Sequence, residues 1–267
     1  MVMKSNRLKN KNIVITGASS GIGERISFLV AEQGARPILL ARNSQQLLEI
    51  SMKIKENTGV DSLFYKLDVS DTDAVEAVFQ EILAEVGTID VLINNAGFGK
   101  FDHAVDATLT ETKEMFAVNV VGLIACTKMV LPAMIAGNNG HIINIASQAG
   151  KLATPKSSVY SATKHAVLGF TNSLRLEVAS ANIQVTSVNP GPIRTRFFDI
   201  ADQSGNYAKS VDRFMLDPDD VARKIVKVIF TPKRELNLPR WMSIGTVLYT
   251  LFPTTFEKVG GKALFKK

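Results

Sequence analysis

Short apolar runs alternate with amphipathic helical stretches along most of this chain, and that rhythm leaves few folds open. NIVIT, RPILLA, SLFYKL, IDVLINN, HIINIAS and IQVTSVNPG read as six strands. Between them, GIGERISFLVAEQG and SQQLLEISMKIKENTG read as helices stopped by Gly34 and Gly59. SDTDAVEAVFQEILAEVG reads as a third helix, with Ser70 as its cap and Asp73 three residues on, a capping-box pattern. SVYSATKHAVLGFTNSLRLEVAS reads as a long one. Strands this uniformly apolar are buried on both faces. The alternation therefore predicts an α/β fold, a doubly wound parallel sheet with helices on both sides. The 267 residues suit one such domain rather than two.

The segment PIRTRFFDIADQSGNYAKSVDRFML has weak periodicity and is expected to be a long loop or lid. DPDDVARKIVKVIF then opens a helix, with Asp217 as cap, Pro218 at the first position and two acids at the positive end of the dipole. The domain is expected to span 1–235, leaving 236–267 as a C-terminal apolar extension.

Tyr160 and Lys164 stand four residues apart, thirteen residues after Ser147. On a helix that spacing places both side chains on one face. A free phenol titrates near 10, and an adjacent ammonium is expected to lower that value. Ser147, at the end of the preceding strand, would bind the same substrate oxygen. The set describes acid/base chemistry on a carbonyl and its alcohol.

Such chemistry needs a hydride carrier, and the first strand–helix turn offers a place for one. Gly17, Ser19, Ser20, Gly21, Ile22 and Gly23 form a glycine-rich turn opening a helix, where backbone N–H groups and a partial positive charge suit a pyrophosphate. The spacing is G-x-x-x-G-x-G rather than G-x-G-x-x-G. After the second strand stand Ala41, Arg42 and Asn43, with no acid before Glu49. A carboxylate there would favour NAD, whereas Arg42 offers a permanent cation to a 2′-phosphate, so NADP is expected. Asp68 and Val69 end the third strand, where Asp68 would accept from an adenine amine, or simply cap a helix. Asn95, Ala96 and Gly97 end the fourth strand. Pro190, Gly191, Ile193 and Thr195 follow the sixth, placed to hold a nicotinamide and the pyrophosphate.

TGASSGIG, LDV, NNAG, Asn119, Ser147, YSATK and NPGPIRT occur in this order, and together they resemble the short-chain dehydrogenase/reductase family in its single-domain, Rossmann-like form. The resemblance covers about residues 8–200. It implies that 1–235 is a dinucleotide-binding and catalytic domain. It also implies roles: Tyr160 as general acid or base, Lys164 binding the nicotinamide ribose and lowering the tyrosine pKa, Ser147 polarising the carbonyl, and Asn119 holding a relay water. The expected enzyme is an NADPH-dependent carbonyl reductase. An NAD-linked alcohol dehydrogenase and a non-catalytic NADP-binding regulator are the alternatives. A nucleotide-sugar epimerase is disfavoured, since no second domain follows the sheet.

Phe98, Leu152, Phe197 and Phe198 point to an apolar pocket for a small carbonyl or alcohol substrate. No metal is expected, since His103, His141 and His165 lack ligand spacing. Cys126, the only cysteine, lies in an apolar run and is expected to be a buried thiol in a reducing, cytoplasmic setting. The net charge of +6 suits anionic cofactors or lipid, but no basic run is interleaved with aromatics, which argues against nucleic acid. The N-terminus lacks a signal-peptide apolar run, and no spanning helix is expected. The segment 241–252 is apolar on nearly every side. It is expected to pack on the domain, to join subunits in a homodimer or homotetramer, or to touch a membrane surface peripherally.

Overall fold

The computed structural model describes residues 6–202 and 205–264. One parallel sheet is built from β1 (Asn12–Thr16), β2 (Arg36–Ala41), β3 (Leu63–Lys66), β4 (Val91–Asn94), β5 (Gly140–Ile145), β6 (Ile183–Pro190) and β7 (Glu235–Leu238). Their order across the sheet is β3-β2-β1-β4-β5-β6-β7. The chain winds outward from β1 to β3, then crosses back to β4 beside β1, with Ile13 opposite Val91. Open α/β sheets bind ligands at the carboxyl ends of strands where the order reverses in this way.

Successive side chains of a strand point to opposite faces, and both faces are covered here. Ile13, Ile15, Leu39, Ile93 and Ile143 meet α1 (Gly21–Ala31), α2 (Ser44–Thr58) and later α9 (Pro218–Val228). Val14, Leu40, Leu92 and Ile142 face the other way, onto α3 (Thr72–Val86), α5 (Leu123–Ala136) and α6 (Ser158–Glu177). Cys126 lies fully buried on that second face, and burial pushes its thiol up to about 12.

Three sequence expectations are corrected. The cap of α3 is Asp71, which accepts from Ala74 N at 3.0 Å. Ser70 sits one residue too early, and its hydroxyl donates to Asp68 instead, at 2.7 Å. The seventh strand, β7, is short and partly polar, so it carried no apolar signal, and it crosses the expected boundary at 235. The lid expected as loop contains two short helices, α7 (Phe197–Ala201) and α8 (Asn206–Val211). Leu109–Ala136 also forms one helical run that is long and apolar enough to cross a membrane by length and composition alone. It comprises α4 (Leu109–Phe116), a π-helical stretch over Ala117–Gly122, and α5. Its Cys126, Val130 and Met134 pack onto the sheet, which accounts for the apolar stripe as part of the core.

α9 begins as read: Asp217 accepts from Asp220 N at 2.9 Å, and Pro218 takes the first turn. Beyond β7 the chain forms α10 (Met242–Leu251) and α11 (Pro253–Leu264).

Candidate active site

The carboxyl ends of the strands open into a cleft of about 1030 Å³. Gly17, Ser19, Ser20, Gly21 and Ile22 line one part of it, Arg42, Asp68 and Val69 another, and Asn95, Ala96 and Gly97 the floor. Ser147, Tyr160, Lys164, Pro190, Gly191, Ile193 and Thr195 line the rest. Gly23 and Asn119 lie just behind this surface.

The glycine turn is shaped by close approach. Gly17 and Gly21 have φ of 65° and 58°, a left-handed backbone that side chains resist. At Gly23 a Cβ would lie 2.4 Å from the Gly17 carbonyl oxygen and 2.5 Å from Asn95 Nδ2, so α1 can pack this closely only without one. Asn95 in turn braces the turn, donating to the carbonyls of Thr16 at 2.9 Å and Gly17 at 3.1 Å. Thr16 Oγ1 accepts from Asn95 N and Ala96 N. The Ser20 side chain does not cap α1, which leaves its first N–H groups directed at the cleft. A backbone cradle at a helix N-terminus, closed to any Cβ, fits a pyrophosphate.

At the far end of that cradle the cations are two. Arg42 is exposed, and Lys66 lines the cleft beside it, since Lys66 is in register with Ala41. Asp68 accepts from Ser70 N at 3.0 Å as well as from the Ser70 hydroxyl. Partial burial works against its anion, but the Ser70 bonds and the Arg42 charge outweigh this and hold the carboxyl below its usual range. Sequence reasoning missed Lys66, because only the register of β3 against β2 brings it beside Arg42.

α6 brings Tyr160 and Lys164 to one buried face, as the spacing required. The Lys164 ammonium lies 5.8 Å from the centre of the Tyr160 ring and donates to the Ile145 carbonyl at 2.9 Å. A Cβ at Gly97 would crowd Asn119 Oδ1 at 3.0 Å, while Lys164 Nζ, at 3.6 Å, would remain in ordinary contact. The expected lowering of the phenol does not hold in this structure. Burial dominates and raises it, the Ser147 hydroxyl partly opposes that, and Tyr207 raises it further. Lys164 is turned toward a carbonyl, and burial lowers its own pKa to about 8. Ser147 caps a short turn through Ala149 N, at 3.1 Å.

Asn119 sits in the π-helical stretch and is fully engaged. Its Oδ1 accepts from Phe98 N at 3.0 Å, and its Nδ2 donates to Phe98 O at 2.8 Å and Thr163 Oγ1 at 3.1 Å. That leaves any water-holding role to its main chain. Gly191 N–H is likewise taken by Leu238 O at 2.6 Å, so it is not open to a nicotinamide. Thr195 faces Gly21, its methyl 3.5 Å from where a Cβ there would stand.

Over the Tyr160 ring lies an aromatic shell. Phe101 meets it edge-on at 5.8 Å, and Phe197 of α7 lies at 5.7 Å. Phe198 and Tyr207 extend the shell, Tyr207 meeting Phe101 at 5.0 Å. Phe98 and Leu152 also line the cleft, as expected. Phe101 and Tyr207 lacked any sequence signal, because only the fold brings the loop after β4 against the lid, where Phe101 N donates to Ala201 O at 2.9 Å.

His141 is buried away from the site, accepting from Phe230 N at 2.9 Å and standing 2.9 Å from Thr186 Oγ1. His165 lies against the Ser161 carbonyl.

The profile of the short chain dehydrogenase family matches residues 11–204, and the chain belongs to that family as an oxidoreductase. Among its relatives, an NADP-dependent 3-hydroxy acid dehydrogenase of Schizosaccharomyces pombe is 36% identical over 228 residues, covering 83% of this chain and 87% of its own. A dehydrogenase/reductase SDR family protein 7-like of Drosophila melanogaster is 35% identical over 239 residues, 86% of this chain and 73% of its own. Among solved structures, the closed form of a serine dehydrogenase complexed with NADP+ superposes with a TM-score of 0.77 at 31% identity, covering 85% of this chain and 94% of that one. A short-chain dehydrogenase from Sphingobium yanoikuyae in complex with NADPH gives a TM-score of 0.79 at 25% identity, covering 91% and 95%.

Proposed function

We propose that this protein uses NADPH to reduce an apolar ketone or aldehyde, and oxidises the alcohol in reverse. The observation that carries this is the convergence of Ser147, Tyr160 and Lys164 on the cleft that also holds the glycine cradle and the Arg42–Lys66 pair. The NADP(H) bound by related proteins of the family supports the cofactor. Gly17 to Ile22 would hold its pyrophosphate, Arg42 and Lys66 its 2′-phosphate, and Asp68 and Val69 its adenine. When bound, NADPH supplies a hydride to the carbonyl carbon.

The protein's own groups do the rest. Ser147 and the Tyr160 phenol address the carbonyl oxygen. Burial keeps that phenol protonated, so Tyr160 holds the proton the oxygen needs as negative charge develops there. Lys164, cationic at neutral pH with its pKa near 8, lies 5.8 Å from the ring of the phenolate left behind and would hold the ribose hydroxyls. Asn119 fixes Phe98 and the helix behind the lysine. The ring shell of Phe101, Phe197, Phe198 and Tyr207 excludes water and favours an apolar substituent next to the carbonyl.

A second reading is a 3-hydroxy acid, favoured by Arg196 lining the cleft beside Thr195 and by the name of the fission-yeast relative. NADPH absorbance followed with aliphatic and aryl ketones, aldehydes and 3-oxo acids separates the two. Consumption with apolar carbonyls is expected. Bound NADPH consumed by none of them would leave a non-catalytic NADP-binding protein.

A further inference from the structure

We propose that α10 and the start of α11 form an apolar foot with a basic surround, which seats the protein on an anionic lipid surface. Trp241, Ile244, Val247, Leu248, Leu251 and Phe252 are each between 46% and 66% exposed. At 3.6 residues per turn they fall within an arc of roughly 140° on one side of the helix. Thr246, buried, lies on the opposite side, and Met242 packs against Gly191 there. A helix on a water-facing surface turns its polar side outward, and this one does the reverse. Phe214 extends the patch, its ring 6.2 Å from that of Trp241, with Arg213 over it at 5.8 Å.

The charge around the patch selects the occupant. Among the described residues beside the patch, Arg213, Arg240 and Lys258 carry positive charge, and Glu257 is the one carboxylate between 236 and 264. A second copy laid on this face about a two-fold axis would bring those cations against their own equivalents. An anionic headgroup layer would neutralise them while the tryptophan and aliphatic side chains enter the acyl boundary. The ten residues of α10 reach about 15 Å, half the thickness of a hydrocarbon core, so the helix lies on the surface and does not span it.

Met242 and Ile200 also line the cleft, which places the foot beside its mouth. An apolar carbonyl compound dissolved in lipid would enter next to the contact. That consequence rests on the reaction proposed above, whereas lipid binding does not and is read without turnover.

The test is flotation of the full chain with phosphatidylcholine vesicles, with and without phosphatidylglycerol. The protein should float with the anionic vesicles and stay behind with the neutral ones. The triple variant Ile244→Ser, Leu248→Ser, Leu251→Ser should bind about tenfold more weakly or worse, with NADPH binding retained. If that variant fails to bind NADPH, Arg240→Glu with Lys258→Glu replaces it, and the preference for anionic vesicles should disappear. No flotation of the wild-type chain, or flotation undiminished in a folded variant, overturns the proposal. So does a wild-type dimer that binds no lipid and that the triple variant splits in sedimentation equilibrium.

Discussion

Gly23→Ala adds one methyl group where α1 crosses the glycine turn, and the structure sets the size of the effect. The new Cβ would stand 2.4 Å from the Gly17 carbonyl oxygen. A carbon and a carbonyl oxygen settle at about 3.3 Å or more, so the helix and turn must part by about 1 Å. The second contact, Asn95 Nδ2 at 2.5 Å, cannot swing aside freely, because it is tied to two carbonyls. Overpacking of this kind costs about 1–3 kcal/mol, and the rigid partners place Gly23 at the upper end. Alanine recovers about 1 kcal/mol of helix propensity. The net loss is therefore about 2 kcal/mol, and the parted turn should weaken NADPH binding by about tenfold, or 1.4 kcal/mol. Gly169→Ala is the control. It lies exposed in α6 with nothing within 4 Å of its Cβ position, so the same change should stabilise by about 0.5–1 kcal/mol and leave NADPH binding unchanged. Urea unfolding and fluorescence titration with NADPH measure both. Equal stability and equal affinity in Gly23→Ala would refute the claim that close backbone approach shapes this cradle.

Three further outcomes follow from the site and the core. Arg42→Ala should cut NADPH affinity by about 10- to 100-fold with little change for NADH, and Lys66→Ala should do so less, since a charge-assisted hydrogen bond is worth about 1.5–3 kcal/mol; dissociation constants for both cofactors decide it. Carbonyl reduction at saturating substrate should hold through neutrality and fall above about pH 8 as Lys164 loses its proton, read from a pH–rate profile. His141, held down to about pH 3 by burial and the Arg7 charge, binds its proton only in the unfolded chain between that value and about 6.5. Its contribution is complete above pH 6.5 and lost as pH falls, at about 1.4 kcal/mol per unit, and urea titrations of wild type and His141→Asn should differ in that slope.

The sheet was legible because its strands are buried on both faces and read as unbroken apolar runs. β7 escaped because an edge strand of four residues with Glu235 and Asn237 has no such run. The cradle was legible from glycines that local backbone geometry demands, and Tyr160 with Lys164 from helical periodicity. Lys66 needed the register of β3 against β2, and Phe101 and Tyr207 needed the folded lid. The direction of the Tyr160 shift was the deeper miss. Spacing reveals a neighbouring cation but not that the phenol is buried or that the cation faces the Ile145 carbonyl, and burial is the larger effect. Asn119 was found by position, while its engagement with Phe98 and Thr163 is a tertiary fact.

Tyr160→Phe removes one oxygen and keeps the ring within its aromatic shell. Once an apolar carbonyl substrate is in hand, kcat of this variant and its NADPH dissociation constant test the account most directly. Turnover should fall by about 10²- to 10⁴-fold with NADPH affinity nearly unchanged. Turnover near the wild-type rate would show that the proton comes from elsewhere and would contradict the assignment of Tyr160.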